Sequence, residues 1–389
     1  MKRYLSQFIL SDLKEKMVFV GGPRQVGKTT LAQKLGVEDF AYPYYLNWDY
    51  PQDRKKIIAR KFGADADLLI FDELHKYGQW KNYLKGEYDK NRGKYKILVT
   101  GSARLDVYRR GGDSLLGRYH YLRLHPFSLA EVLDCRAKVE IGKALHFKET
   151  EGTQVVLNRL MTHGGFPEPF LKDNDEVTRR FHNERAERLI KEDIRDVERM
   201  RDLSALQVLA SLLPERVGSL FSINSLKEDL GVTHRSLSLW VDVLERFYYH
   251  YRIYPFASTL IKSLKKEPKL YLWDWSEVES EPAKFENLVA SHLLKFVHFL
   301  YDVKGYKAQL HFLRDREGHE VDFLVSIKNK PWFLVEVKLR DETISNNVHY
   351  FKNKLHAPYS FQVLLESGVD FVQDGVRCIS ADKFLTALV

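Results

Sequence analysis

Cysteine is nearly missing from this 389-residue chain: only Cys135 and Cys378 occur, far apart and in no metal-ligand spacing. That argues against a disulfide framework and a cysteine-based zinc site, and for a reducing compartment. Long hydrophobic runs are missing too. No apolar stretch approaches the ~20 residues of a membrane-spanning helix, and the opening MKRYLSQFILSDLKEKM has no apolar centre of the kind a secretory signal needs. The expectation is a cytoplasmic protein without a membrane segment. Neither an internal repeat nor a low-complexity tract interrupts the sequence.

What is present is ordinary for a globular protein: 44% hydrophobic and 29% charged residues, in a length that suggests two to four domains. The formal net charge of +8 permits nucleic-acid binding, although a solvated lysine surface gives the same balance. From Met17 to about His125, short apolar runs (MVFVGG, YYLNW, DLLIFDE, KILVTGS, YHYLRLH) alternate with helical patterns. This reads as an α/β unit with a parallel sheet covered by helices. From Pro126 to Met200 the strand signal vanishes, and DEVTRRFHNERAERLIKEDIRDVERM reads as one long charged helix. Three helical segments follow, LQVLASLLPERV, INSLKEDLG and THRSLSLWVDVLERF, and then an aromatic strand FYYHYRIYPF and a basic stretch IKSLKKEPK. The remainder reads as a separate α/β unit.

Gly22-Pro23-Arg24-Gln25-Val26-Gly27-Lys28-Thr29, followed by Thr30, satisfies the phosphate-binding pattern G-x-x-x-x-G-K-[ST] between an apolar run and a helix. Its glycines let backbone N–H groups wrap phosphates. Lys28 would reach the β/γ oxygens of ATP, and Thr29 would ligate Mg2+. The apolar run DLLIFDE then supplies Asp72 to hold magnesium through its water shell and Glu73 to activate the attacking water. Thr100 and Ser102 end the next apolar run, where a hydroxyl could touch the γ-phosphate or cap the following helix. Arg118 is a candidate for stabilising transition-state charge, in its own subunit or a neighbour's, with an ordinary surface arginine as the alternative.

GPRQVGKTT, LLIFDELHK, LVTGSA, LLGR and LHPFSLAE, and HGGFPEPF, in this order, resemble the prokaryotic AAA-type ATPases whose C-terminal half is a domain of unassigned function. The resemblance implies a P-loop core over 1–125, a helical lid over 126–200, a winged-helix module over 201–264 and a restriction-endonuclease-like, PD-(D/E)xK domain over 265–389. Lys28, Thr29, Asp72, Glu73 and Thr100 match the family's ATPase motifs.

In the helical middle, a DNA reader would present Thr233, His234, Arg235 and Ser238 to a groove, with Lys262, Lys265, Lys266 and Lys269 as phosphate contacts. Glu228, Asp229, Asp242 and Glu245 offset the local basic charge, and a docking surface for a protein partner is the other use. HGGFPEPF reads as a turn with a packing role. In HEVDFLV and FLVEVKL the period of two sets Asp322, Glu336 and Lys338 on one face of two neighbouring strands. Two carboxylates and a lysine can hold Mg2+ or Mn2+ and activate a water against a phosphodiester, and Glu286, on a preceding amphipathic helix, would add a third carboxylate. The resemblance implies the same four residues, with Val321 where the motif's name has proline. The plain alternative is a Glu336–Lys338 surface pair on a solvated sheet, worth under ~1 kcal/mol. The expected function is a Mg-dependent ATPase controlling a metal-dependent domain that binds or cuts DNA. A switch with a non-cleaving domain is the alternative, and a homo-oligomer or a protein partner is compatible with both.

Overall fold

A computed structural model of the chain describes residues 2–101, 115–135, 139–194, 203–257, 263–264 and 266–389. The chain divides into two compact units, Met1–His125 and Pro126–Val389. Ser102, Lys262 and Lys265 lie outside the described residues.

The first unit is a five-stranded parallel sheet in the order β2-β3-β4-β1-β5. Its strands are β1 (Met17–Gly21), β2 (Pro43–Asn47), β3 (Leu68–Asp72), β4 (Lys96–Thr100) and β5 (Tyr119–Arg123). β1 and β3 are buried along their whole length. That is why they read as continuous apolar runs rather than alternating ones: helices cover both faces of a parallel sheet. The helices are α1 (Ser6–Asp12), α2 (Lys28–Asp39), α3 (Pro51–Ala59) and α4 (Trp80–Lys90). α2 buries Leu31, Ala32, Leu35 and Gly36, a stripe at helical spacing. At Gly36 a Cβ would come within 3.0 Å of Ile70, so the missing side chain lets α2 lie close on the sheet.

The second unit begins with helices α5 (Thr153–His163), α6 (Pro167–Lys172) and α7 (Asp175–Arg188). The charged stretch expected as one helix widens into a π-helical segment over Leu189–Ile194. HGGFPEPF forms the α5–α6 corner. A Cβ on Gly164 would lie 2.5 Å from Asp274 Oδ1, and one on Gly165 2.6 Å from Phe127 O, so both glycines are required by packing. Helices α8 (Leu203–Leu212), α9 (Ile223–Leu230) and α10 (His234–Arg246) come next. Thr233 caps α10 by accepting from Ser236 N, and Gly231 ends α9 in the left-handed conformation.

An eight-stranded mixed sheet in the order β12-β13-β11-β10-β9-β8-β6-β7 dominates this unit. Strands β6 (His250–Pro255) and β7 (Lys269–Leu272) form an antiparallel pair, and Val217 and Leu220 bridge to β7. β6 also pairs in parallel with β8 (Ala308–Arg314), so the aromatic strand after α10 is built into the same sheet as the C-terminal strands. Those are β9 (Glu320–Ile327), β10 (Lys330–Lys338), β11 (Tyr359–Leu364), β12 (Asp370–Gln373) and β13 (Val376–Ser380). α11 (Glu281–Asp302) packs Phe285, Leu288, Val289, Leu293 and Phe296, all fully buried, against this unit's core. Each such burial contributes roughly 1.5–3 kcal/mol. Asn287 on α11 accepts from Leu272 N at 2.8 Å and donates to Leu272 O at 2.9 Å, tying the helix to β7 as a neighbouring strand would. α12 (Asn346–Leu355) covers β10 and β11 with Val348 and Phe351.

Candidate functional site

The nucleotide motif occupies the turn between β1 and α2, at the carboxyl ends of the parallel strands, where an α/β sheet binds its ligand. The turn depends on glycines. Gly22 (φ 143°) passes so close to β5 that a Cβ would meet Leu124 O at 2.3 Å, and Gly27 (φ 93°) precedes α2 in the left-handed region. Gln25 adopts φ 59° within the same turn. Arg3, which the motif gives no hint of, donates from its guanidinium to Val26 O at 2.7 Å and to His125 O at 2.5 Å, bracing the loop. Lys28 is buried, and its ammonium donates to Gly22 O (3.0 Å) and Pro23 O (2.6 Å).

Asp72 is the hub of this site. It is 3% exposed, and three hydroxyls donate to its carboxylate: Thr29 Oγ1 at 2.7 Å, Tyr45 at 2.8 Å and Thr100 Oγ1 at 2.5 Å. Charge-assisted bonds of this kind fix a carboxylate in place. Thr100, fully buried, is therefore committed to Asp72 rather than turned toward a phosphate or a helix terminus. Tyr45 went unnoticed in the sequence because its strand YYLNW carries no motif. Only the β2–β3 register, with Asn47 beside Asp72, brings it there. Burial and the Asp72 charge push its phenol well above the ordinary tyrosine range, so it stays a donor.

Glu73 leaves β3 in the left-handed conformation (φ 55°), and its backbone N–H donates to Thr100 O at 3.0 Å. Its carboxylate lies 3.4 Å from Lys76 Nζ and 3.6 Å from His75 Nε2. Burial raises its pKa against the pull of Lys28 and Lys76, which favours a proton acceptor. Thr29 and Asp72 together offer a hydroxyl and a carboxylate, hard oxygens that would suit Mg2+. Arg118 stands elsewhere. It precedes Tyr119, which pairs with Met17 at the amino end of β1, and it makes a double hydrogen bond to Asp89 (2.8 and 3.0 Å). Arg118 therefore does not reach this chain's own phosphate loop, and the own-subunit role expected for it is corrected.

A second cluster occupies the other unit. The register pairing Val335 with Phe323 sets Glu336 level with Asp322, whose Oδ2 accepts from Val337 N at 2.9 Å. Lys338 Nζ lies 3.0 Å from Glu336 Oε1. Glu286, from α11, accepts from Tyr271 OH at 2.7 Å. Among these carboxylates sits a cation not foreseen there, Lys269. Its ammonium lies 2.6 Å from Glu320, 3.3 Å from Glu286 and 3.6 Å from Asp322. At 3% exposure it cannot be the phosphate contact expected of the IKSLKKEPK stretch. The period of two along β7 is the signal that was available: Lys269 and Tyr271 share a face and both reach Glu286.

Burial and repulsion from Asp322 push the carboxyls of Glu286 and Glu336 up to about 7 each. Glu336 Oε2 is buried without a hydrogen-bond partner, so a proton there relieves the cost of its buried charge. The residues do not fit the divalent ion expected at Glu286, Asp322 and Glu336, because an ammonium already stands among the carboxylates. Among the described residues, three ligand atoms approach within 4.8 Å of one another at Asp315, Glu317 and His319 instead. That group is a β8–β9 turn in which Lys354 lies 3.4 Å from Asp315 and His319 stacks on Tyr350.

With this geometry in view, residues 14–133 match the model of an AAA domain. Residues 155–277 and 283–384 match two domains of unknown function, DUF8612 and DUF4143. An uncharacterized protein of Methanocaldococcus jannaschii is 24% identical over 349 residues, covering 79% of this chain and 72% of the relative. An uncharacterized protein of Mycobacterium tuberculosis is 20% identical, covering 81% and 69%. Among solved structures, the Thermotoga maritima RuvB Holliday junction branch migration motor aligns over 68% of this chain and 93% of its own (18% identity, TM-score 0.32). A Bacteroides Pif1 helicase with ADP-AlF3 and single-stranded DNA aligns over 49% of each chain (15% identity, TM-score 0.23). Structural likenesses this distant carry no argument here. The family match and the built P-loop do: the N-terminal unit carries an AAA-type P-loop domain. No helix among the described residues is long and apolar enough to cross a membrane.

Proposed function

We propose that the chain is a magnesium-dependent ATPase whose nucleotide state controls a nuclease-like C-terminal module that binds DNA without cutting it. The observation that carries the ATPase reading is the hold on Asp72, with Thr29, Tyr45 and Thr100 fixing its carboxylate beside the phosphate loop. On binding, the Lys28 ammonium exchanges two carbonyl partners for β/γ oxygens; Thr29 and Asp72 would hold a magnesium ion, which would supply charge to neutralise the phosphates. Glu73, raised in basicity by burial, takes the proton of the attacking water. In this reading Arg118 acts on a neighbour's nucleotide in a homo-oligomer.

Helix α8, the short 217–220 segment, helices α9 and α10, and the β6–β7 hairpin follow one another in winged-helix order, which supports that reading of the region. Thr233, His234 and Arg235 are exposed at the start of α10, as a groove-reading helix requires. The acidic residues that dilute the local charge are largely spoken for: Arg252 pairs with Asp242 and Glu245, and Arg216 with Asp229. The pairing of β9, β10 and β11 with α11 behind them supports the restriction-endonuclease-like reading. The Lys269 ammonium favours the version that does not cut.

The test is phosphate release by the wild type, Lys28→Ala and Glu73→Gln, run beside DNA binding at several salt concentrations with and without ATP. Absence of turnover in the wild type, or DNA affinity indifferent to both nucleotide and salt, would remove this function.

A further inference from the structure

We propose that Lys269 is the resident cation of the C-terminal carboxylate cluster, occupying permanently the position a divalent metal would take. This rests on the reading of that domain as nuclease-like, and deepens it by naming what keeps it from cutting.

Three observations carry the assignment. First, the ammonium contacts carboxylates from two elements at once, Glu286 on α11 and Glu320 and Asp322 on β9, as a bridging metal would. Second, it is delivered by a strand fixed at both ends. Lys269 itself bridges to Leu220, and three residues further on Asn287 clamps the Leu272 backbone. With the side chain 4% exposed, it is built in rather than folded over from the surface. Third, the cluster's other groups are already partnered: Tyr271 donates to Glu286, Arg314 to Glu320, Val337 N to Asp322, and Lys338 to Glu336. Glu336 Oε2 is the cluster's one buried oxygen without a hydrogen-bond partner. A divalent ion entering here would face an ammonium fixed among its ligands, whereas its affinity depends on finding several free oxygens.

Two other places carry less. The Asp315–Glu317–His319 turn already holds Lys354, and the His182–Ser276–Asp274 group is part of the packing around Gly164.

The experiment is a Mn2+ titration of the full-length, nucleotide-free chain, with free Mn2+ followed by its electron paramagnetic resonance signal. The wild type should show no saturable site that is lost in Asp322→Asn. Lys269→Met, which keeps the length of the side chain and removes its charge, should gain one such site, at least about tenfold tighter than any wild-type binding. Lys269→Met/Asp322→Asn should lose it, and Lys269→Arg should never gain it. Binding that survives Asp322→Asn belongs to the phosphate loop and is subtracted. The proposal is overturned by a wild type that binds one Mn2+ through Asp322, or by a folded Lys269→Met chain that gains nothing. Should Lys269→Met not fold, the wild-type and Lys269→Arg arms still decide. A wild type that binds Mn2+ yet leaves DNA uncut sinks this assignment while sparing the proposed function. DNA affinity indifferent to both nucleotide and salt does the reverse.

Discussion

Both units gather carboxylates beside a sheet, and they satisfy them in opposite ways. In the N-terminal unit Asp72 is surrounded by neutral hydroxyls, from Thr29, Tyr45 and Thr100, and the charge of a metal remains to be supplied. In the C-terminal unit Glu286, Glu320 and Asp322 surround a lysine that belongs to the fold. Hydroxyls orient a carboxylate without cancelling it, whereas an ammonium cancels it. The first arrangement leaves a site open to an ion and the second closes it, although carboxylate content alone makes the two look alike.

The contrast is broken most directly at the phosphate loop. Lys28→Ala should lower ATP turnover by about a hundredfold or more, with the folded circular dichroism spectrum kept. Turnover within severalfold of the wild type would mean that the lysine does not serve phosphate. Lys269→Met comes next. Removing one partner of a buried ionic cluster typically costs roughly 3–5 kcal/mol, so the urea midpoint at pH 8 should fall sharply. A neutral outcome would show that the C-terminal carboxylates do not depend on that charge. Thr100→Val should cost roughly 1–3 kcal/mol, since it leaves a buried carboxylate oxygen short of a donor, and should weaken Mg2+-dependent turnover. Loss of stability without a kinetic effect would reduce Thr100 to a packing residue.

A finer test uses pH. The Glu336 carboxyl rises from 4.5 to about 7 in the folded chain. Between those values the folded state binds more protons than the unfolded one, so stability falls as pH rises through 7. Glu336→Gln removes that dependence, and its stability relative to the wild type should increase from pH 5 to pH 8. A pH-independent difference would mean the carboxylate is not destabilised by its surroundings. The smallest effect belongs to Arg118→Ala. Its partner Asp89 is exposed, and solvent-exposed pairs of this kind contribute little to stability. Chain stability should hardly change, and any loss of turnover should grow with protein concentration, the signature of a residue acting on a neighbour.

The phosphate loop was legible in the sequence because glycine, lysine and threonine are needed there at fixed spacing, between a strand and a helix. Asp72 and Glu73 were legible only beside the phosphate loop, because an apolar strand ending in two acids is common by itself. Alternation along β9 and β10 gave the shared face of Asp322, Glu336 and Lys338. Tyr45, Arg3 and Lys269 were not legible, for one physical reason: each reaches its site through pairing between segments distant in sequence. Lys269 looked like part of a basic linker because four lysines within eight residues read as surface, whereas β6–β7 pairing turns one of them inward. Arg118 misled in the opposite way. Its place after a glycine and before a strand fitted a catalytic loop, but the parallel register sets it at the far end of β1.

The Asn287 side chain has a consequence for self-association. An outermost strand with free peptide groups is a template onto which another chain can add. By bonding both the N–H and the carbonyl of Leu272, Asn287 quenches that template on β7 from within, and Val217 and Leu220 cover the rest. Growth of the sheet by strand addition is thereby directed to its other extremity, β12, where Asp370 is tied to Arg377 and Lys383 and guards the rim with charge.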